Sequence, residues 1–493
     1  MRANRRLDPG SAPPAPPARP LSPDEEMPRE ERQQAAAMPE MDTTREERRV
    51  RADILQGNVH RAILSVAFPS VATMLLQTTN QFLDRFFIGR LESGPEAQAA
   101  ITISNSLMFA LMAAAMAVSV GTTALVARSI GEGDLKQAEK ATQQSLILGA
   151  LIALAIGLPM WFLRFPILAA MGLDESARDL AARYLGISVL GLPTLFLMLI
   201  LNGAFRGLGD TVRPFWVSLG ANVVHVVFNY LLIFGKFGFP DMGLPGGAVA
   251  LVISQVVATV LYLVFLRQSL LRNTPRSPRL ERDLAKRIGR IGLPASVQQF
   301  VRVGSMLAFQ GLLAHSGAGD AAVAALGIGL VAESIAFMPG FGYSIAASAF
   351  VGQNLGAKQV ERANAGAWAA TWQAVAVMTV MGVVFYALAE PFANLFVPHL
   401  PGESAERAAQ VSATVALVVA YLRIAAFSEP FLALGMVLTG GLQGAGETIS
   451  PTAATLFSMV LVRLPLAWWM LSTFGTTGAW WAMSISTMVQ GVL

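Results

Sequence analysis

Gln77, Asn80, Gln81 and Asp84 recur at helical spacing, so a helix carrying them presents one polar face that ends in a carboxyl group. Asn222, His225 and Asn229 make a second such face at i, i+3 and i+7. A carboxylate beside an imidazole in a low-dielectric cleft changes protonation with wetting and with bound cation, which is what proton coupling requires. Asp84, His225, Asn229, Asn222 and Asn80 are therefore the candidate cation-coupling residues. Asp84 and Asn229 could also offer oxygen to Na⁺, and no other metal site is indicated. Farther along stand Glu333 and Glu429, with Gln298, Gln299 and Arg302, and with Phe337, Met338, Phe341 and Phe427 nearby. Acids and aromatic rings of this kind could wall a pocket for lipophilic organic cations, and Gln77 joins this substrate-binding set.

All of these residues sit in long apolar runs. The chain of 493 residues is 54% hydrophobic and 14% charged, with a mean hydropathy of +0.52. Soluble domains carry about 25% charged residues. The composition is that of an all-α integral membrane protein and excludes a large soluble enzyme. The absence of cysteine removes disulfides, thiolate metal sites and thiol nucleophiles together. From about residue 61 onward there are twelve apolar stretches, each long enough at about 1.5 Å per residue to cross a core of about 30 Å. The last, from about 477, stops at 493 without a basic flank, which reads as a chain cut short. Residues 1–57 differ: they are rich in proline and charge, read as a disordered and dispensable tail, and contain no signal-peptide pattern.

Loop charge predicts orientation, because translocation of Lys and Arg is disfavoured. One set of alternate loops holds Arg128, Lys136, Lys140, Arg206, Arg213, Lys358, Arg362 and the basic connector from Arg267 to Arg290; the other holds only Arg90, Arg164, Arg178, Lys236 and Arg407. The first set should face the cytoplasm of a bacterial-type inner membrane, with both termini inside.

The two halves echo each other. FRGLGDTVRP at 205–214 matches LQGAGETISP at 442–451, and VARSIGEGDLKQAEKA at 126–141 matches VGQNLGAKQVERANA at 351–365. Pro69 pairs with Pro294, and Pro193 with Pro430. Six spans separate each matched pair, so the halves insert in the same direction and relate by a pseudo-two-fold axis along the membrane normal. The expected architecture is two six-helix lobes, 58–270 and 284–493, joined by a cytoplasmic connector at 271–283. A central cleft between such lobes lends itself to alternating access. The glycine turns read as structural, with Asp210 or Glu447 capping the next helix.

The repeat also weighs function against interhelical glue. Asp84 maps onto Phe309, Asn222 onto Met459, His225 onto Val462 and Asn229 onto Leu466, all apolar. Glu333 and Glu429 map onto Met108 and Leu192. Polar groups that merely held the common bundle together should recur in both copies.

The stretches NQFLDRFFIGRL, FRGLGDTVRP, NVVHVVFNYLLIFG, FMPGFGYSIAASAFVGQNLGA and LQGAGETISP, taken in order, resemble the multidrug and toxic compound extrusion (MATE) family and its DinF-like branch. The resemblance covers about residues 58–493. It implies twelve helices in two lobes and export of cationic drugs or metabolites in exchange for Na⁺ or H⁺, with Asp84 as the coupling acid. The family's fifth helix commonly reads Asn-x-x-Asn-x-x-x-Asp, and His225 and Asn229 depart from it. A sixth-helix threonine is replaced by Leu251. Losing oxygen ligands and gaining an imidazole favours H⁺ over Na⁺.

The expected protein is thus a monomeric antiporter of a small organic substrate in a lipid bilayer, with no nucleic-acid partner and no cofactor beyond the coupling ion. The alternative is a lipid-linked precursor flippase, which would need converging arginines in its cavity; Arg302 is the obvious in-span arginine. The chain has no HExxH, GxSxG or Walker A sequence, so an enzyme or ATP-driven pump is not indicated.

Overall fold

The protein is described by a computed structural model for residues 42–88, 90, 94–172, 174–275, 279–317, 319–397 and 404–493. Every regular element among the described residues is helical: α1 (Asp42–Gln56), α2 (Val59–Ile88), α3 (Gly94–Glu132), α4 (Leu135–Ala170), α5 (Glu175–Leu190), α6 (Leu192–Leu208), α7 (Val212–Ile233), α8 (Leu244–Arg267), α9 (Arg282–Ala314), α10 (Gly319–Gly356), α11 (Val360–Ala387), α12 (Ala389–Phe396), α13 (Ala405–Ala445), α14 (Ile449–Leu456), a π-helical turn (Phe457–Val462) and α15 (Arg463–Val492).

Nine of the described helical stretches are long and apolar enough to cross a membrane, and α5 with α6, bent by 50°, make a tenth as one broken span. α9 is equally long, but Gln298, Gln299, Arg302 and Gln310 dilute its hydropathy. Gly475, at φ 63° and ψ −154°, breaks the stretch from Ile449 to Val492 into two arms. Counting these two features gives the twelve expected crossings.

Each half has its own interior. Val126, Phe205, Val217 and Tyr262 centre the first, and Phe309, Leu326, Tyr421 and Trp480 the second. The halves also exchange their leading helices. Leu284 and Ile288 of α9 bury among residues of the first half, while Ala62, Ile63, Val66 and Ala67 of α2 bury against Tyr343, Phe350 and Met378 of the second. At the end carrying the basic loops, α3 and α10 meet backbone to backbone, where Gly131 lies on the Gln353 carbonyl and Gly356 on that of Arg128; any Cβ would part them.

The repeated turns are built alike. Gly209 (φ 79°) and Gly446 (φ 84°) end α6 and α13 in the left-handed conformation. Asp210 Oδ1 accepts from the Val212 and Arg213 amides, both at 3.1 Å, and Glu447 Oε1 accepts from the Ile449 and Ser450 amides at 3.0 and 2.9 Å.

One expectation is overturned. Residues 42–56, assigned above to a disordered tail, form α1, with Thr44, Glu47 and Ile54 buried. The segment is too polar overall to show an apolar run, and its helix is held by partners distant in sequence. The rest of the expected tail, residues 1–41, lies outside the described residues.

Candidate functional site

Thr211 at the start of α7 donates from Oγ1 to the Val66 carbonyl of α2 at 2.8 Å, setting the register of the two helices. Asp84 then stands roughly 27 Å along α2 from Val66, and His225 roughly 21 Å along α7 from Thr211, at about 1.5 Å per residue. The two side chains meet there. Asp84 Oδ1 lies 2.8 Å from His225 Nε2 and accepts a hydrogen bond from Asn229 Nδ2 at 2.6 Å. The imidazole is 3% exposed and the carboxyl group 30%, so an accessible acid rests on a buried base. At this separation a proton can be shared or passed between them.

Around this pair several polar atoms are buried without partners: Asn80 Oδ1, Asn222 Nδ2, His225 Nδ1 and Asn229 Oδ1. Asn80 and Asn229 therefore keep oxygen atoms of the type Na⁺ uses, while Asn222 is not joined to the Asp84 cluster by a hydrogen bond. Gly247 of α8 leaves room beside Asn229 Oδ1, where a Cβ would fall at 3.3 Å. Tyr184 of α5 lies within electrostatic reach of Asp84 and went unnoticed in the sequence, since only folding brings it near. Leu251 is half-buried, and its carbonyl accepts from Ser254 Oγ. Gln77 is exposed, and the side chain of Gln81 lies outside the described residues. Among the described residues no group of three or more His, Cys, Asp or Glu is placed to hold a metal ion.

The second-half set separates. Glu333, Arg302 and Glu429 lie within electrostatic reach of a cluster with Tyr421 and Arg463, in which Glu429, Tyr421 and Arg463 are buried and Glu333 and Arg302 half-buried. Arg463 corrects the earlier reading, in which Arg302 was the obvious arginine within the spans. It follows the π turn, is 5% exposed, and donates from Nε to Ser486 Oγ at 2.8 Å and from Nη2 to Thr487 Oγ1 at 3.4 Å. The turn also frees the Met459 carbonyl, which accepts from Ser305 Oγ at 2.5 Å. Gln298 is committed to α14, donating to Thr455 Oγ1 at 2.8 Å, so a cleft-facing role for it is not what the geometry offers. Glu429 and Met338 are likewise buried inside the second half. Gln299 is half-buried. Phe337 stacks on Phe341 at 5.9 Å, and Phe427 on Trp481 at 6.2 Å; Phe337 and Phe427 are exposed.

Polar side chains that meet between helices of a membrane bundle point to a carrier, and comparison with known proteins decides which kind. The MatE family model matches residues 69–231 and 294–469, one stretch in each half. The chain belongs to the MatE family. It is similar to a probable multidrug resistance protein NorM of Thermotoga maritima, with 27% identity over 88% of this chain and 91% of that protein. It is also similar to an FAD transporter of Shewanella oneidensis, with 26% identity over 90% and 95%. A solved outward-facing structure of a multidrug resistance MATE family transporter superposes with a TM-score of 0.82 at 24% identity, over 92% of this chain and 96% of that one. The chain is accordingly a multi-pass membrane transporter of the MatE fold and not an enzyme.

Proposed function

We propose that this MatE transporter is an antiporter that exports amphipathic organic cations in exchange for protons, with Asp84 and His225 as the proton site. The observation that carries the reading is the 2.8 Å contact between an accessible carboxyl group and a buried imidazole on facing helices. Protonation of the pair weakens an ionised wall of the cleft, so proton entry and release of a cationic substrate compete for the same charge. Asn229 orients the acid, Asn80 and Asn222 extend the polar face, and Gln77, Glu333 and Phe337 line the substrate path. Na⁺ is the second candidate ion, supported by the unpaired oxygens of Asn80 and Asn229. The Asp84 motif supports placement in the DinF-like branch. Loop charge supports a bacterial plasma membrane with both termini cytoplasmic, and a single copy carries the whole cleft.

Reconstituted vesicles loaded with a fluorescent organic cation test this. An imposed pH gradient without Na⁺ should drive transport, and a Na⁺ gradient without a pH gradient should not. Transport driven by Na⁺ alone would refute the role given to His225. An anionic cargo, as a lipid-linked precursor or a dinucleotide would be, is the second reading, supported by Arg302 and Arg463 lying within reach of each other. Inhibition of cation efflux by a soluble pyrophosphate ester, rather than by a second organic cation, would favour it.

A further inference from the structure

Helix α1 lies across the seam between the halves at their basic end, and it is fastened to both. Toward the first half, Glu47 Oε1 pairs with the Arg213 guanidinium, itself 3.2 Å from Asp210 Oδ2, and Glu47 Oε2 accepts from the Leu270 amide at 2.6 Å. Ile54 and Val50 cover the Gly209 turn, where a Cβ would fall 2.7 Å from Ile54 Cδ1 and 3.4 Å from Val50 Cγ1. Toward the second half, the carbonyls that end α1 are capped from α10 and α11. Asn354 Nδ2 donates to the Ile54 carbonyl at 3.3 Å, and Arg362 donates from Nε to the Ile54 carbonyl at 3.0 Å and from Nη2 to those of Asp53 and Gly57 at 3.3 and 2.6 Å. The Ile54 carbonyl is one that a helix leaves unsatisfied at its C-terminus.

The two attachments are unequal in one respect. α1 runs almost directly into α2, whose first turns are buried in the second half with Ile54 itself. It therefore moves with the second half, and the breakable joint is the one to Arg213, Leu270 and the Gly209 turn.

We infer that α1 is a strap that holds the basic end shut: the α3–α10 seam opens only when Glu47 leaves Arg213 and the Leu270 amide. The inference rests on alternating access as the mode of transport. It gives residues 42–57 a gating role that their composition did not suggest. A buried hydrogen-bonded pair is costly to break on one side only, so the strap acts as an all-or-none catch rather than a hinge.

The chain has no cysteine, so two spin labels can be placed without background. Glu132→Cys on α3 and Glu361→Cys on α11 are exposed and lie on opposite sides of the seam. Double electron–electron resonance on the full chain in lipid nanodiscs then reads the gate directly. Glu47→Arg and Arg362→Ala should each raise the population of a longer distance about tenfold, whereas Glu47→Gln, which keeps an acceptor for Leu270, should stay close to the parent. An unchanged distribution in both variants would overturn the strap, and so would a change in only one of them, because a strap needs both ends. The readout is position and not efflux. A chain that opens in this way but exports nothing would refute the function proposed above and leave the strap standing.

Discussion

Asp210 and Glu447 cap equivalent turns in the two halves with the same backbone geometry, yet their surroundings are opposite. Asp210 is buried beneath α1, and burial pushes its carboxyl group upward against the pull of Arg213. Glu447 is exposed, and hydrogen bonds from Ser450 hold its carboxyl group below the usual range. The same contrast runs through the membrane. Where α2 carries Asp84, α9 carries Phe309, fully buried in the second half's core, and where α7 offers His225 and Asn229, the π turn and α15 offer Val462 and Leu466. A duplicated scaffold keeps its turns because the backbone needs them, while its polar groups diverge with use.

The largest break in this comparison is Asp84→Asn. It should cut gradient-driven efflux by about 100-fold or more, the usual scale of a lost proton-transfer group, with unchanged yield and melting temperature. Undiminished efflux would return Asp84 to the status of interhelical glue. Next comes His225→Asn with Asn229→Asp, which exchanges an imidazole for oxygen donors. Efflux should lose about tenfold of its response to an imposed pH gradient and gain a response to Na⁺, read in the same vesicles.

A smaller effect separates the two turns. Gly209→Ala and Gly446→Ala both force a Cβ into the left-handed region at about 1 kcal/mol each. The new Cβ at 209 also meets Ile54, whereas at 446 its nearest neighbour is Ile291 at an ordinary 3.6 Å. Thermal melts should therefore drop further for Gly209→Ala, and equal drops would mean that α1 is not seated on the turn. Smallest is a pH effect on α1. Burial raises Glu47 from 4.5 to about 7 despite Arg213, and Asp210 beside it is raised as well. A carboxyl group raised on docking binds its proton more tightly when docked, so docking is strongest below pH 4.5 and weakens as the pH rises through 7. Labelling of a cysteine placed at Thr44 should accelerate over that range, and a flat rate would argue against burial of Glu47 as the source.

The sequence by itself determined the membrane class, the repeat, the two capped turns and the polar faces on α2 and α7, because each is written in local hydropathy or spacing. Helical spacing put Asp84 on one face and His225 on another, and their types named the chemistry. Only the tertiary structure decided that the faces meet through Asp84 Oδ1, that Tyr184 comes within electrostatic reach of Asp84, and that Gln298 is spent on α14. It also turned Arg463 inward after a π turn and laid a charged, polar segment across the seam as a helix with one buried face. These outcomes share one physical reason. A polar side chain inside a membrane bundle is placed by whichever partner can satisfy it, and that partner is usually a hundred or more residues away, where no local pattern can name it.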